Sequence, residues 1–572
     1  MKKKSFLLLL LLFIAATLFS QSPAKYWVQF QDKQFSDYSI HKPQKFLSPK
    51  AIEKRAKFNI AVTENDIPVS AYYIDKVMAL DSEMMLFSKS KWLNGITVYS
   101  QKENIMEEIS KLPFVAFCEK TITMKNPEEI GSDYFQYTNQ TTPLCSKISI
   151  KEKDIDYGKS LGQIRLNNIH WLHRMGYCGD GMTLMVMDGG FKNLDNIPHF
   201  KTLREEGRLL LVRNFVQPGK NPFLKEGHGT NVLSCIASHI PGDLVGTAPQ
   251  VCVCLAKTED GRSENKVEED NWVAGIELAD SLGCDVVNSS LGYTKFDDSL
   301  QVRNYSDLNG NTSRASQAAS IAASKGLLIC NSAGNEGAGK WKYIGSPADA
   351  KDIITVGAVD VKGKKARFSS FGPTADGRVK PDACAVGLNT FVANVAGVTG
   401  ISQGTSFSAP LMAGMITCLW QAFPNKSNYQ IMDAVRQSGS QFAAPDSALG
   451  YGVTDFLKAY NLLLQPHEIF DVNGAKIFSA TFDSYVFNKK EFVVKIYSNC
   501  ERTVTVTTAM RNIDKSYVKD YLLLPGDNII LLKMPKLSKK FPFGFVDVII
   551  LGEGVNQHFV IGAEPIVKEK KK

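Results

Sequence analysis

From about residue 157 to residue 464, short apolar runs alternate with stretches of helical periodicity. The runs MTLMVMD, VCVCLAK, CDVVNSSLG, GLLICNSAGN and DIITVGAV lack the polar and apolar alternation of a strand with one wet face. Continuous apolar strands separated by helices indicate a parallel sheet that is covered on both faces. The pattern predicts an α/β domain of three layers, with its chemistry beyond the carboxyl ends of the strands.

The flanking regions have different patterns. Residues 21–122 combine strand-like runs with two helical stretches and predict a small α+β unit, in which Ser48 is the N-cap of a helix that begins with Pro49. Residues 123–156 are polar and aperiodic, which indicates a linker. Residues 466–572 contain EFVVKIYS, RTVTVT and FGFVDVIIL between turns, which predicts a β-sandwich.

Residues 1–20 have the pattern of an export signal. Lysines at positions 2–4 precede an apolar run over 6–19, which is too short to span a membrane. Its removal takes away three lysines and no acid, so the formal net charge falls from +8 to +5. We expect a secreted or cell-envelope protein with no transmembrane segment in the mature chain; a membrane anchor is the alternative.

The composition limits the kinds of partner and cofactor that the sequence predicts. The basic residues form no interior stripe with interleaved aromatic residues, so no nucleic-acid partner is predicted. Of the 11 cysteines, Cys252, Cys254, Cys284 and Cys330 lie in or beside apolar runs and predict buried free thiols, with one or two disulfides at most. No CxxC pair occurs, and no metal ligand is predicted.

Four polar residues stand where the predicted strands end or the predicted helices begin. Asp188 ends MTLMVMD, His228 opens a helix in EGHGTNVLSCIAS, Asn335 lies in the loop SAGNEG, and Ser406 lies at the helix start in GTSFSAP. A serine nucleophile needs a base within hydrogen-bond reach, and that base needs a third group to orient it. An amide in a glycine-rich loop can stabilise an oxyanion. Singly, the four could be a strand-end cap or metal ligand, a structural histidine, a turn residue and an N-cap.

Taken together, these segments resemble the subtilisin-like serine proteases, or subtilases. HGT at 228–230, AGNEG at 333–337 and GTSFSAP at 404–410 match the signatures of that family, and the order Asp, His, Ser is the order in subtilisin. VNSSLG at 287–292 resembles the substrate-binding strand, and GTAP at 246–249 a connection between helix and strand. The resemblance covers about 300 residues and implies the subtilisin-like three-layer fold.

The resemblance also implies roles. Asp188 orients the base, His228 is the general base, and Ser406 is the nucleophile. Asn335 and the Ser406 backbone N–H stabilise the oxyanion. For the substrate, Ser290, Leu291 and Gly292 pair with the peptide as a strand, and Gly345 lies at the base of the first pocket, where it leaves room for a large apolar side chain. Gly189 replaces the family's usual Ser or Thr, and Leu233 a small residue.

The α+β unit then resembles the family's propeptide, an intramolecular chaperone and inhibitor of ferredoxin-like shape. Cleavage is expected in or near 121–155, with an N-terminal domain that stays uncut as the alternative. The whole reading is an exported serine endopeptidase made as a zymogen, which acts on protein or peptide substrates. The resemblance implies no required cofactor. Calcium often stabilises members of this family, but the sequence shows no loop that can be named as its ligand. A pseudoprotease and an adhesin whose C-terminal domain is the working part are the rival readings.

Overall fold

The computed structural model describes residues 23–123, 155–298, 301–465, 467–482, 484–487, 491–511, 516–534 and 543–564. The predicted export signal, 1–20, and nearly all of the predicted linker, 123–156, lie outside these residues. Within them, no helix combines the length and the apolarity that crossing a membrane requires.

The N-terminal unit is a four-stranded antiparallel sheet in the order β2-β3-β1-β4, which is the strand order of a ferredoxin-like fold. Ser48 caps the first helix, because its hydroxyl accepts the backbone N–H of Ala51 at 3.1 Å. The elements are β1 (Ala24–Phe30), α1 (Pro49–Lys57), α2 (Ala71–Met78), β2 (Met85–Ser90), β3 (Gly95–Ser100), α3 (Ile105–Ser110) and β4 (Val115–Thr123).

The central unit contains a seven-stranded sheet, and every neighbouring pair of its strands is parallel. Its helices are α4 (Leu161–Arg165), α5 (His170–Arg174), α6 (Lys201–Glu205), α7 (His228–Ala237), α8 (Val267–Leu282), α9 (Arg314–Ser324), α10 (Thr405–Ala422), α11 (Asn428–Gln437) and α12 (Phe456–Leu464). Its strands are β5 (Thr183–Asp188), β6 (Leu209–Asn214), β7 (His239–Ile240), β8 (Leu244–Val245), β9 (Cys252–Lys257), β10 (Val286–Ser289), β11 (Leu328–Ser332), β12 (Ile354–Val359), β13 (Ala383–Val386), β14 (Thr390–Ala393) and β15 (Thr399–Ser402).

Strand β5 explains why the apolar runs are continuous. Leu184 and Val186 pack into the core that contains α7 and α10. Met185 and Met187 point to the other face, where they meet α8 and α9. Because successive side chains alternate between two covered faces, both sets must be apolar. The three-layer α/β architecture predicted from the sequence is confirmed. The sheet order is β13-β12-β11-β10-β5-β9-β6.

The C-terminal unit consists of two sheets around one apolar core. Their orders are β16-β17-β19-β22 and β18-β24-β23-β20-β21, and all pairs are antiparallel except β18 with β24. In β19, burial alternates along the strand, as a sheet with one wet face requires. The strands are β16 (Glu468–Phe470), β17 (Lys476–Phe482), β18 (Val486–Phe487), β19 (Glu491–Ser498), β20 (Arg502–Met510), β21 (Ser516–Leu523), β22 (Gly526–Lys533), β23 (Gly544–Gly552) and β24 (Val555–Ala563).

The N-terminal unit is held on α8 by buried charges. Arg55 of α1 contacts Asp280 of α8 at 2.7 Å and Asp66 of its own unit at 3.1 Å, and Lys91 contacts Asp280 at 2.7 Å. Lys325, which follows α9, completes the group by contacting Asp66 at 2.9 Å. All five side chains are less than a tenth exposed, so each charge depends on its partners across the interface.

The Glu277 carboxylate of α8 also accepts three hydrogen bonds from the start of the β2–β3 turn. It accepts the hydroxyl of Ser90 at 2.6 Å and the backbone N–H groups of Lys91 and Trp92 at 2.7 and 3.0 Å. Burial raises the pKa of Glu277 above its usual value. Removal of the N-terminal unit would therefore expose a carboxylate that three hydrogen bonds now satisfy.

The cysteines differ from the prediction at one position. Cys252 is disulfide-bonded, so the expectation of a free thiol there is wrong. Cys254, Cys284 and Cys330 are buried free thiols. An apolar run predicts burial equally well for a thiol and for a half-cystine, because both are apolar and compact.

The C-terminal unit packs tightly on the central unit through Trp171 of α5. A Cβ atom on Gly562 of β24 would lie 2.4 Å from Cε2 of the fully buried Trp171 ring. Beside this contact, Asn461 of α12 donates to the Val560 carbonyl at 2.9 Å and accepts the Val560 N–H at 2.7 Å.

We expect Gly562→Ala to lower the free energy of unfolding by about 1–3 kcal/mol, because a rigid ring cannot give way to the added methyl group. Gly400→Ala is the matched control, since a Cβ there meets no atom within 4 Å. Urea unfolding followed by tryptophan fluorescence measures both variants. Equal midpoints would show that the contact between the two units is loose.

Candidate active site

Asp188 and His228 meet at the carboxyl edge of the sheet. Asp188 is the last residue of β5 and is fully buried, and His228 is the first residue of α7. Nδ1 of His228 lies 2.8 Å from Oδ1 of Asp188. This hydrogen bond places the proton on Nδ1, which leaves Nε2 as the basic nitrogen of the neutral ring.

The Asp188 carboxylate raises the pKa of His228, and its Coulombic attraction outweighs the opposing effect of burial. The backbone N–H of Gly189 donates to the same oxygen, Oδ1, at 2.7 Å. The other oxygen, Oδ2, is buried and accepts no hydrogen bond from the described residues. A hydroxyl side chain at position 189 is the group that the sequence lacks here, and Gly189 supplies only its backbone to Asp188.

Ser406 is the second residue of α10. The N-cap of this helix is Gly404, so the alternative in which Ser406 is an N-cap is wrong. Its hydroxyl donates to the Ser290 carbonyl at 3.4 Å, and the Ser290 hydroxyl donates to the Ser406 carbonyl at 2.9 Å. Ser406 and His228 share no hydrogen bond in the described part of the chain, and the neighbouring Phe407 ring lies 5.8 Å from the His228 ring.

The Asn335 side chain is oriented by Thr405. Its Oδ1 accepts the Thr405 N–H at 2.9 Å and the Thr405 hydroxyl at 3.0 Å. Because a backbone N–H can only donate, the accepting atom must be the amide oxygen, and Nδ2 must point the other way. A Cβ atom built on Gly404 would lie 3.5 Å from this Nδ2 and 3.6 Å from the Ser406 backbone nitrogen. Two N–H donors therefore border one small space that only a glycine at 404 leaves open.

A cleft of about 550 Å³ brings together most of the residues predicted to form the site. Ser290, Leu291, Gly292, Asn335, Gly345 and Ser406 line it. Among the described residues, no hydrogen bond occupies the backbone N–H or C=O of Gly292, so both are available to an extended peptide. A Cβ on Gly345 would lie 2.8 Å from Cγ2 of Thr294, across the same cleft.

Sequence reasoning missed two features of the site. Thr405 orients Asn335, whereas the sequence pattern indicated only the next residue, Ser406. The cleft also carries Glu259, Glu264 and Glu268. Six of the thirteen residues at 258–270 are acidic, which was the available signal. In the described part of the chain, no group of three or more His, Cys, Asp or Glu side chains is arranged to hold a metal ion.

The chain matches two protein families. Residues 179–452 match the Subtilase family, Peptidase S8, and residues 25–133 match the Peptidase S8 propeptide domain of Bacteroidota. Residues 179–452 are therefore a subtilase domain, of a family of serine-type endopeptidases, and residues 25–133 are a propeptide domain of that family.

Several individual proteins are similar to parts of this chain. The chain is 26% identical over 342 residues to subtilisin NAT of Bacillus subtilis subsp. natto, which covers 59% of this chain and 74% of the relative. It is 28% identical over 309 residues to the membrane-bound transcription factor site-1 protease of Mus musculus, covering 51% of this chain. That match spans only 26% of the site-1 protease. The solved MycP3 protease of the type VII (ESX-3) secretion system is 19% identical, with a TM-score of 0.42 over 54% of this chain and 89% of that one.

We expect the His228 ring to titrate above its ordinary pKa of about 6.5, because Asp188 stabilises the protonated ring. In a Ser406→Ala chain, ¹H–¹⁵N NMR of the imidazole against pH measures this directly. Adding Asp188→Asn removes the negative charge and should lower the pKa of His228. A pKa that is unchanged by Asp188→Asn would mean that the two side chains do not interact in solution.

Proposed function

We propose that this protein is an exported serine endopeptidase, made as a zymogen, which hydrolyses peptide bonds through an acyl-enzyme on Ser406. The observation that carries the proposal is the hydrogen bond between Asp188 and His228, whose ring lies 5.8 Å from that of Phe407, the residue next to Ser406. The family membership of residues 179–452 supports the same reaction class.

In the acylation step, Ser406 turns from the Ser290 carbonyl toward Nε2 of His228, which takes the hydroxyl proton as Oγ attacks the scissile carbonyl carbon. In free enzymes, the distance between the nucleophile and its base is often longer than in the complex that reacts. The protonated His228 then gives the proton to the leaving amine, and Asp188 stabilises the imidazolium. In deacylation, water loses a proton to His228 and attacks the ester carbon. The bond between that carbon and Oγ of Ser406 then breaks, His228 returns the proton to Oγ, and the carboxylic acid leaves.

The oxyanion that forms in each step needs donors that are already in place. Nδ2 of Asn335 and the Ser406 backbone N–H border the space beside Gly404, and the N-terminus of the 18-residue helix α10 adds a favourable dipole. Thr405 makes the first donor rigid, since its two hydrogen bonds to Oδ1 prevent the amide from turning.

Substrate binding follows from the free edge at Gly292. A peptide in the extended conformation pairs there as an added strand, beside Ser290 and Leu291. Gly345 leaves the first pocket wide enough for a large apolar side chain. The enzyme needs no cofactor for this chemistry, and any structural calcium is a separate question of stability.

The N-terminal unit acts as the chaperone and inhibitor of the zymogen. Its buried charge network on α8 supports this role, because charges shared between two units stabilise only the assembled state. A parallel sheet of seven strands folds slowly, which gives such a template its use. The export pattern at 1–20 and the propeptide family of residues 25–133 support an extracytoplasmic location.

We expect the chain without residues 1–20 to lose an N-terminal piece that ends within 121–155, and its Ser406→Ala variant to stay intact. Intact-mass measurement over time tests the nucleophile and the zymogen together. Cleavage of both chains would assign processing to another protease. If neither is cleaved, a fluorophosphonate label that fails to modify Ser406 would identify a pseudoprotease.

We expect Arg55→Met to weaken the hold of the cleaved propeptide by about 10²–10³-fold, because it leaves Asp280 and Asp66 short of a buried partner. The measurement is the lag before the processed full chain hydrolyses a peptide, which should shorten at least tenfold by the same reasoning. Lys57→Met is the matched control, since Lys57 is exposed on the same helix. Equal lags would show that the network contributes nothing to inhibition.

A further inference from the structure

One side of the active-site cleft is formed by carboxylates, which we call the acidic wall: Glu259, Glu264 and Glu268. Glu259 lies just beyond β9, Glu264 lies in the following loop, and Glu268 is in the first turn of α8. All three line the cleft that also contains Ser406 and Gly292. The catalytic chemistry uses none of them.

The Glu259 carboxylate is fixed by hydrogen bonds to one of its two oxygens, and the other has no partner among the described residues. Its Oε1 accepts the Tyr293 hydroxyl at 2.6 Å and the Thr258 hydroxyl at 3.2 Å. Its Oε2 accepts no hydrogen bond from any described residue, although the residue is only 8% exposed. An oxygen so placed in a substrate cleft has acceptor capacity for a ligand, since a carboxylate can take about four hydrogen bonds.

The wall is rigid. Glu268 accepts the backbone N–H groups of Asp260 and Asn265 at 2.9 and 3.1 Å, which closes the loop between them. The same loop is tied to Asp297, which also lines the cleft. The Glu264 N–H donates to Asp297 at 3.1 Å, and the Asp297 N–H donates back to the Glu264 carbonyl at 2.8 Å.

Among the described residues, the basic side chains next to this wall bond to groups other than its carboxylates. None of its three carboxylates forms an ion pair within the described residues. Arg262 contacts Asp260 at 2.5 Å and is 57% exposed, and Lys257 donates to the backbone carbonyl of Glu259 at 2.9 Å rather than to its carboxylate. Burial raises the pKa of Glu268 to about 8 and that of Glu264 to about 7, and nearby acidic side chains add to both shifts.

Resting on the function proposed above, we propose that the acidic wall binds the lysine or arginine side chain of a peptide substrate. The position of that residue follows from the strand edge. Ser290 contacts Ser406, whereas Tyr293, whose hydroxyl holds Glu259, lies just beyond Gly292. Since an extended peptide advances about 3.3 Å per residue, the cation belongs to a residue two or more positions from the scissile bond.

The test is a library of internally quenched peptides given to the processed full-length enzyme. Each position in turn carries lysine, arginine, norleucine or glutamate, so that norleucine reports the length of the side chain without its charge. At one position away from the scissile bond, lysine or arginine should raise kcat/KM over norleucine by about tenfold or more. Glu259→Gln, which keeps an oxygen for Tyr293, should reduce that ratio to about threefold or less.

Glu264→Gln is the second variant. The Glu264 carboxylate accepts no hydrogen bond in the described part of the chain, so its removal leaves no donor without an acceptor. It should also lower the ratio. Asp433→Asn, on the exposed face of α11, changes the net charge equally and should leave the ratio as it is.

Cleavage without a cationic preference, or a preference that survives both variants, overturns the acidic wall as a specificity site and leaves the protease assignment intact. If no peptide is cleaved and Ser406 takes no fluorophosphonate, the proposed function fails, and this inference fails with it.

Discussion

The burial of helix α10 against the parallel sheet is the constraint on which the site depends. Apolar side chains cover almost all of its length, and the backbone approaches so closely at Gly414 that a Cβ would lie 2.1 Å from Oγ1 of Thr247. A helix packed this tightly cannot shift along its axis without opening cavities. Its first turn is therefore held at the carboxyl edge of the sheet, where β5, β10 and β11 also end.

The sequence predicts well where these polar residues lie, because they follow strands whose apolar runs are continuous. Asp188 ends β5, Ser290 follows β10, and Asn335 comes three residues after β11. Two details could not be read from the chain. That Gly404 and not Ser406 caps α10 depends on backbone dihedrals, and Gly404 has a φ of 149°. That Cys252 is a half-cystine depends on which sulfur comes near it, which apolarity does not encode.

Charge pairing across distant parts of the chain is the other part that sequence patterns leave hidden. Arg55, Lys91 and Asp280 are each unremarkable in their own segments, and only the fold makes them one buried group. The acidic residues near 259–268 show the opposite case. Their local density is visible in the sequence, but it resembles any solvated loop until the fold places it inside the cleft.

The contact between Trp171 and Gly562 has a mechanical consequence. With a ring and a backbone pressed together, and Asn461 bonded to both polar groups of Val560, the C-terminal sheets are joined to the central unit as a bracket rather than by a hinge. The mouth of the cleft therefore keeps one direction relative to those sheets. A substrate attached to those sheets would have to approach the cleft from that direction. The direction of approach would then limit which peptides reach the cleft, before any side chain is recognised.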